Sequence, residues 1–293
     1  MNSRGLCGKI KMKKLLLFTL PIILSACSNN PQTQITQPTQ KSKRVVALTP
    51  LAADIIYNLD KTKLVGIPNG RYTDVIAKAK FNNYTRVGTN TAINIEKIVS
   101  LKPDLVLGAE GFHDKIIAKL QELKIPTLVG KISSWQDLED STKQIAQQIG
   151  ADPKPILDKF QSYTTNIPNN GKTVLVLLRA QPTSSPNKNS WAGNLLEKFK
   201  YKNLAADLQG KGRFKGYITL SQEKILEANP EKLFVIESAN LNPNDFKKLP
   251  YWSKLKAVQN NQVYIFHHDG LITPISIDSI KDVSKQLREV GAK

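Results

Sequence analysis

NIEKIVSLKPDLVL at residues 94–107 is echoed by SQEKILEANPEKLFVI at residues 221–236. In both segments a glutamate opens a short helical pattern, a proline seven positions later ends that pattern, and an apolar strand pattern follows. A helix–strand unit that recurs about half a chain apart indicates that one structural plan is used twice. We therefore predict two lobes of similar architecture.

Alternating strand and helix patterns surround the first segment. Strand patterns occur at residues 44–48, 64–67, 105–107 and 127–129, with helical patterns between them. Strands that are apolar on both faces and alternate with helices are typical of a parallel sheet covered by helices. This pattern predicts an α/β lobe over residues 43–138.

A longer helical region separates this lobe from a second one. We predict a helical connector at residues 139–168, a second α/β lobe at 169–276 and a terminal helix at 277–293. The predicted fold is therefore α/β, with two βαβ lobes that have parallel-type sheets and are joined by a long connecting helix. In such folds the ligand cleft lies between the lobes, at the carboxyl ends of the strands.

The N-terminus has the pattern of a targeting segment. Lysines precede an apolar run from Leu15 to Leu24, which is too short to span a bilayer and has the length of a signal-peptide core. The run ends in Leu24-Ser25-Ala26-Cys27, which resembles the bacterial lipobox, in which the cysteine is acylated, palmitate being a typical chain. We predict a signal peptide at residues 1–26 and lipidation of Cys27; a cleaved secretion signal with a chance cysteine is the alternative. Either Met1 or Met12 is the start.

Composition restricts the class of protein further. Cys7 and Cys27 are the only cysteines, so the body of the chain has no disulfide. Residues 28–42 are too polar to bury a core, and we interpret residues 27–42 as the lipidated cysteine and a disordered tether. The formal charge of +18 favours anionic ligands and surfaces, and no nucleic-acid-binding module is recognisable.

The order of these features carries a family resemblance. Residues 43–290, with RVVALTP at 44–50, LVGI at 64–67, the repeated segment and NQVY at 261–264, resemble the substrate-binding lipoproteins of ABC importers. The subtype is the class III periplasmic binding proteins, which take up ferric siderophores, haem or cobalamin. The resemblance implies a lipid-anchored monomer outside the cytoplasm, facing the periplasm or the cell exterior, with little hinge motion on closure.

The resemblance assigns a role to the two repeated glutamates. Glu96 and Glu223 correspond to the family's acidic residues that dock on arginines of the permease, one from each lobe. Helix chemistry is the simpler explanation, because an acid in a first turn interacts favourably with the helix dipole. At the position where relatives carry another glutamate this chain has Asp54, which we interpret as a helix-start acid.

Candidate ligand-binding residues follow from the strand-end rule. Arg179 directly follows an apolar strand, and arginine binds carboxylates in a bidentate manner. Trp191 and Phe112 offer aromatic walls for a chelate. The remaining candidates at predicted strand or turn ends are Thr49, Arg71, Tyr72 and His113.

The resemblance implies a chelate or cofactor-like ligand, and the basic candidates favour an anionic ferric chelate as the transported ligand, with no cofactor and no metal site formed by the protein. His113, His267 and His268 are the only histidines, and the adjacent pair cannot both face one cleft from a strand, so a bare metal ion is disfavoured. Cobalamin or haem on the same scaffold is the alternative. No nucleophile elbow, HExxH or Walker motif is present, so we do not expect an enzyme.

Overall fold

The computed structural model describes residues 41–210 and 215–293. The predicted signal peptide, Cys27 and the greater part of the predicted tether lie outside the described residues. Within the described ranges no helix has the length and apolar character needed to cross a membrane.

The first lobe is built on a five-stranded, wholly parallel sheet in the order β3-β2-β1-β6-β7. A small antiparallel pair, β4 and β5, precedes α3. The strands are β1 (Val45–Ala47), β2 (Leu64–Ile67), β3 (Thr85–Arg86), β4 (Gly88–Thr89), β5 (Ala92–Ile93), β6 (Leu105–Ala109) and β7 (Thr127–Gly130). The helices are α1 (Pro50–Asp60), a π-helical turn (Tyr72–Ile76), α2 (Lys78–Phe81), α3 (Ile95–Ser100) and α4 (Asp114–Glu122).

Two helices connect the lobes, α5 (Trp135–Ile149) and α6 (Lys154–Tyr163). The prediction of one long connecting helix is corrected here, because Gly150 ends α5 in the left-handed conformation and Pro153 starts a new helix. The side chain of Ser134 begins α5 by accepting a hydrogen bond from the backbone N–H of Asp137.

The second lobe has a four-stranded parallel sheet in the order β10-β8-β12-β13. A short antiparallel pair, β9 and β11, lies beside it. The strands are β8 (Thr173–Leu177), β9 (Ser184–Pro186), β10 (Lys202–Asn203), β11 (Tyr217–Thr219), β12 (Lys232–Glu237) and β13 (Val263–His267). The helical segments are α7 (Trp191–Lys198), α8 (Gln222–Ala228), α9 (Asn244–Lys247), a 3₁₀ turn (Trp252–Lys254), α10 (Lys256–Gln259), α11 (His268–Leu271) and α12 (Ile277–Gly291).

The two sheets share one plan, as the repeated segment predicts. β6 lies next to β1 in the first lobe, and β12 lies next to β8 in the second. In each case the helix that opens with the repeated glutamate, α3 or α8, immediately precedes that strand. The predicted α/β class with parallel sheets is confirmed.

A continuous apolar core passes from one lobe to the other. It includes Ile55 of α1, Trp135 of α5, Val176 of β8 and Leu287 of α12. The terminal helix α12 packs against both α1 and α6, so it belongs to the junction of the lobes. Burial of this shared surface resists separation of the lobes, because apolar area exposed to water is unfavourable.

A buried carboxylate ties α12 to the first lobe. Asp54 is 1% exposed and accepts hydrogen bonds from the Tyr72 hydroxyl (2.7 Å) and the Ile277 backbone N–H (2.9 Å), and it also pairs with Lys80. The prediction that Asp54 starts a helix is wrong, because Thr49 caps α1 and Asp54 lies within the helix. Its position in the core gives it a structural role at the junction.

Candidate functional site

A cleft of about 1210 Å³ opens between the lobes at the carboxyl ends of the strands. The first lobe contributes the end of β6 (Leu107–Ala109) and the residues that follow it and β7. The second lobe contributes the loop before α7, the start of β11 and the segment after β13. The parallel topology explains this arrangement, since all strand carboxyl ends of one sheet meet at one edge.

Trp191 forms an aromatic wall of the cleft and is also anchored in the core. It is 3% exposed, its indole N–H donates to the carbonyl oxygen of Gly270 (2.7 Å), and its ring stacks on Trp135 with centroids 6.0 Å apart. Its neighbour Tyr217 also lines the cleft and directs its hydroxyl towards the Ile272 carbonyl oxygen (3.4 Å). Burial raises the pKa of Tyr217 to about 12, so the phenol stays protonated and serves as a hydrogen-bond donor at neutral pH.

Three exposed lysines supply positive charge to the cleft. Lys131 lies directly after β7, and Lys188 and Lys215 come from the second lobe. Lys188 also pairs with Asp207 (2.7 Å) outside the cleft lining. Within the part of the chain that the structure describes, the lining includes these lysines but no arginine.

Asp269 connects the two lobes at the edge of the cleft. Its carboxylate lies 3.3 Å from Arg71 Nη1 of the first lobe and 3.6 Å from Nδ1 of His268. The hydrogen bond with His268, together with the positive charges of His268 and Arg71, lowers the pKa of Asp269. Arg71 does not line the cleft, and its side chain is 65% exposed. Within this ion pair, Asp269 therefore faces the cleft and Arg71 faces the solvent.

His113, Phe112 and Thr49 line the cleft, as predicted, and each also has contacts within the first lobe. The Nδ1 atom of His113 accepts a hydrogen bond from the Ala109 backbone N–H (3.0 Å), and burial lowers the pKa of the imidazole. Thr49 caps α1 by accepting from the Ala52 N–H (3.2 Å). Phe112 is 61% exposed and contributes apolar surface.

Two predicted ligand residues lie elsewhere. Arg179 is exposed and forms an isolated bridge with Ser184, because the chain after β8 turns back into β9 instead of entering the cleft. Tyr72 is 7% exposed in the core of the first lobe, where its hydroxyl donates to Asp54. Burial, together with the negative charge and the hydrogen bond of Asp54, raises the pKa of Tyr72. Neither residue lines the cleft.

The prediction from sequence missed the cleft lysines and Tyr217. Lys131 was recognisable in principle, because it follows the strand pattern at residues 127–129 as directly as Arg179 follows its own strand. Lys188 and Lys215 lie in loops whose direction no local pattern indicates. Among the described residues, no group of three or more histidine, cysteine or acidic side chains is arranged to hold a metal ion.

Glu96 and Glu223 occupy equivalent positions in the two lobes. Each is an exposed residue in the first turn of its helix, α3 or α8. The caps are also equivalent: Asn94 accepts a hydrogen bond from the Lys97 N–H (2.9 Å), and Ser221 accepts one from the Lys224 N–H (3.3 Å). Since helices of parallel α/β units start at the carboxyl edge of the sheet, both glutamates lie at the edge that carries the cleft.

The acids that follow the repeated prolines have a different, structural role. Asp104 accepts hydrogen bonds from the backbone N–H groups of Lys43 (2.8 Å) and Arg44 (3.0 Å), directly before β1. Glu231 accepts from the backbone N–H and hydroxyl of Thr173 (2.9 and 3.0 Å), at the start of β8. In each lobe, therefore, this acid holds the amino end of the neighbouring strand.

The family model described as periplasmic binding protein matches residues 45–269. This chain belongs to the periplasmic binding protein family. The match covers both sheets and most of the residues that line the cleft, and it confirms the resemblance predicted from the sequence.

Known members of the family are similar to this periplasmic binding protein along most of its length. The chain is 25% identical over 287 residues to the uncharacterized ABC transporter substrate-binding lipoprotein YvrC of Bacillus subtilis, covering 91% of this chain and 85% of that protein. It is 29% identical over 238 residues to the Fe(3+)-citrate-binding protein YfmC of Bacillus subtilis, covering 76% and 72%. The periplasmic vitamin B12 binding protein BtuF of Vibrio cholerae has the same fold, with a TM-score of 0.64, 23% identity and coverage of 86% and 99%.

Proposed function

We propose that this protein captures a ferric siderophore or a similar anionic iron chelate and delivers it to the permease of an ABC importer. The observation that carries the proposal is the cleft of about 1210 Å³, which combines buried aromatic walls with the exposed lysines Lys131, Lys188 and Lys215. A cleft of this size suits a whole chelate, since it exceeds the range of about 300–1,000 Å³ that is usual for small-ligand sites.

Within the described part of the chain, three exposed lysines outnumber the two carboxylates of the cleft lining, Glu110 and Asp269, which favours an anionic ligand. A chelator's own oxygen atoms complete the coordination of ferric iron, so the protein has to recognise only the outside of the complex. Lysine ammonium groups supply mobile point charges that accommodate carboxylates in several orientations. The similarity to an Fe(3+)-citrate-binding protein supports the same ligand class.

Cobalamin or haem is the second candidate, and the aromatic lining favours it. Trp191, Tyr217 and Phe112 provide flat apolar surface for a large ring system. His113 does not suit iron ligation as it stands, because its Nδ1 accepts a backbone hydrogen bond and the proton of the neutral ring is therefore on Nε2.

Tryptophan fluorescence quenching of the mature protein tests the ligand class. Ferric citrate, hydroxamate and catecholate siderophores, haem and cobalamin form the panel, and Trp191 is the reporter in the cleft wall. We expect saturable quenching by a ferric chelate, with Kd raised about 10-fold or more when Lys131 and Lys215 are both changed to serine. Arg179→Ala is the control, because Arg179 lies outside the cleft. Quenching by cobalamin or haem alone would overturn the proposed substrate.

We further propose that Glu96 and Glu223 dock on basic residues of the two permease subunits. Their equivalent, exposed positions on the two lobes, at the edge that carries the cleft, support this role. In reconstituted proteoliposomes, Glu96→Gln combined with Glu223→Gln should abolish most transport and leave ligand affinity unchanged. The control is Glu122→Gln, because Glu122 lies at the carboxyl end of α4, at the edge of the sheet opposite the two docking glutamates. Loss of ligand affinity in the docking double variant would contradict a docking role.

We also propose that Cys27 is acylated and holds the protein on the outer side of the bacterial membrane. The Leu24-Ser25-Ala26-Cys27 sequence and the similarity to an ABC transporter substrate-binding lipoprotein support this anchoring. Mass spectrometry of the membrane fraction should find an acylated cysteine at the mature N-terminus. Cys27→Ser should release the protein, and retention in the membrane would contradict the anchor.

A further inference from the structure

Positive charge is concentrated at the amino edge of the first lobe's sheet, opposite the cleft. Four adjacent strands of the order β2-β1-β6-β7 each have a lysine or arginine within the three residues before the strand begins. We call this surface the basic edge. Its cationic residues, all exposed or half-buried, are Lys41, Lys43, Arg44, Lys61, Lys63, Lys102 and Lys124.

Carboxylates do not neutralise this surface. Asp60, Asp104 and Glu122 lie at the same edge, against seven cationic side chains. Asp104 is already bonded to the backbone N–H groups that precede β1. At the opposite edge, acids such as Glu96 and Asp114 occupy first turns of the same helices that end at the basic edge. With seven cations and three acids among its described residues, the basic edge has an excess of four positive charges.

Helix ends explain part of this distribution, because cations are favourable near helix C-termini. Lys102 and Lys124 follow α3 and α4 in the left-handed conformation, with φ angles of 46° and 58°, as Lys200 follows α7 in the second lobe with a φ angle of 63°. Glycine or asparagine is the favoured residue in this left-handed conformation, and lysine is disfavoured there. Lys102 and Lys124 therefore add two exposed charges to the basic edge, and their left-handed backbone allows each to be replaced by asparagine.

The chain enters the fold at this edge. The Ser42 backbone N–H donates to the Gln148 carbonyl oxygen (2.8 Å), and the Lys41 ammonium donates to the Gln147 carbonyl oxygen (2.9 Å), next to the end of α5. The segment between Cys27 and Lys41 could span at most about 50 Å even if fully extended. A membrane that holds Cys27 therefore lies within reach of the basic edge.

We propose that, between deliveries, the basic edge of the first lobe rests on the anionic headgroups of the membrane that holds the lipid anchor. This orientation points the cleft away from the bilayer, towards incoming ligand. Glu96 then faces away from the membrane, so docking on the permease requires release of the basic edge and rotation of the body. The inference rests on the proposed anchoring at Cys27 but is independent of the ligand and of the docking residues.

Energy transfer from single labels to headgroup-labelled lipid tests this orientation in the full lipidated protein. Once the signal peptide is removed and Cys27 is acylated, no free thiol remains, so one introduced cysteine is labelled selectively. Asn83→Cys places the label at the amino end of β3, beside the basic edge. Thr91→Cys places it at the opposite edge, next to the cleft residue Asn90.

In vesicles rich in phosphatidylglycerol, we expect stronger transfer from position 83 than from position 91. The difference should disappear in phosphatidylcholine vesicles and in about 1 M salt, where electrostatic screening acts within about 3 Å. Flotation of the vesicles first verifies anchoring, so a failure of the anchor is distinguished from a failure of the orientation.

A matched pair of variants isolates the lysines. Lys102→Asn with Lys124→Asn removes two charges from the basic edge and suits the left-handed backbone, so the variant must be at least as stable as the parent. Lys97→Asn with Lys115→Asn removes the same charge from the opposite halves of the same helices. We expect the first variant to lower the population ratio of the orientation with the basic edge on the membrane to the reverse orientation by about 5-fold for each lysine that touches the membrane. The control variant should leave this ratio unchanged. The proposal would be overturned by equal transfer from both labels or by an equal effect of both variants.

Discussion

At the residue scale, Asp54 shows how one buried carboxylate joins elements that are far apart in the sequence. Its partners come from the π-helical turn, from α2 and from the start of α12, which is separated from it by 223 positions. A buried carboxylate is stable only when charged and polar partners surround it, as they do here. The same contacts explain why a residue at this position is unavailable to a ligand.

Removal of this carboxylate should therefore destabilise the whole body. We expect Asp54→Ala to lower the free energy of unfolding by about 3–5 kcal/mol, because Lys80 and the Ile277 N–H group at the start of α12 lose their buried partner. Urea denaturation followed by circular dichroism measures the change. The control is Asp282→Asn on the exposed face of α12, which should alter stability by no more than about 0.5 kcal/mol.

His113 gives the stability a predictable pH dependence. Burial lowers the pKa of His113 below its ordinary value of 6.5, so the unfolded chain binds this proton more readily than the folded protein. Its contribution to stability is therefore fully present above about pH 6.5 and is lost as the pH falls towards the folded-state pKa. Denaturation between pH 8 and 5 should show this loss, and His113→Gln should remove it.

At the element scale, the repeated segment combines two functions in one helix–strand unit. The glutamate at the helix start is exposed, whereas the acid after the proline is bonded to the neighbouring strand. A proline between them ends the helix and lets the chain enter the sheet. The repeat therefore reflects both a structural requirement of each lobe and the proposed contact with the permease.

Substitutions at the two kinds of acid should separate these functions. Asp104→Ala and Glu231→Ala should each lower the free energy of unfolding by about 1–3 kcal/mol, because backbone N–H groups before β1 and β8 lose a charged acceptor. Thermal and urea unfolding measure the loss. Glu96→Gln and Glu223→Gln should leave unfolding unchanged and reduce transport only. If all four substitutions reduced stability alike, the division of roles would be wrong.

The sequence was most informative for elements and least informative for the directions of loops. Strand and helix patterns predicted both sheets, because buried parallel strands need continuous apolar runs. Arg179 and Lys131 both follow such runs, yet the chain after β8 turns into β9, whereas the chain after β7 stays in the cleft. Tyr72 is buried because Asp54, a distant residue, provides its hydrogen-bond acceptor. Such choices depend on tertiary contacts that no local pattern contains.

At the scale of the whole molecule, the junction of the lobes determines how far they can move. The apolar core continues across the junction through α5, α7 and α12, and Asp54 holds the start of α12 against the first lobe. On the cleft side, the Arg71–Asp269 ion pair also joins the lobes, although its exposure to solvent makes it weak. A large opening would have to break the buried contacts, whereas small shear at the junction leaves them intact.

Closure on ligand should therefore be small. We expect small-angle scattering to show a decrease in radius of gyration of no more than about 1 Å on ligand binding, from roughly 18 Å for a body of this length. Asp54→Ala should enlarge the ligand-dependent change, because α12 then loses its attachment to the first lobe. Arg71→Ala should not, since that ion pair is largely exposed. A decrease of several ångströms in the unaltered protein would show that the shared core does not limit the motion. The recognition of the bound state by the permease would then depend on lobe rotation instead of on the fixed spacing of Glu96 and Glu223.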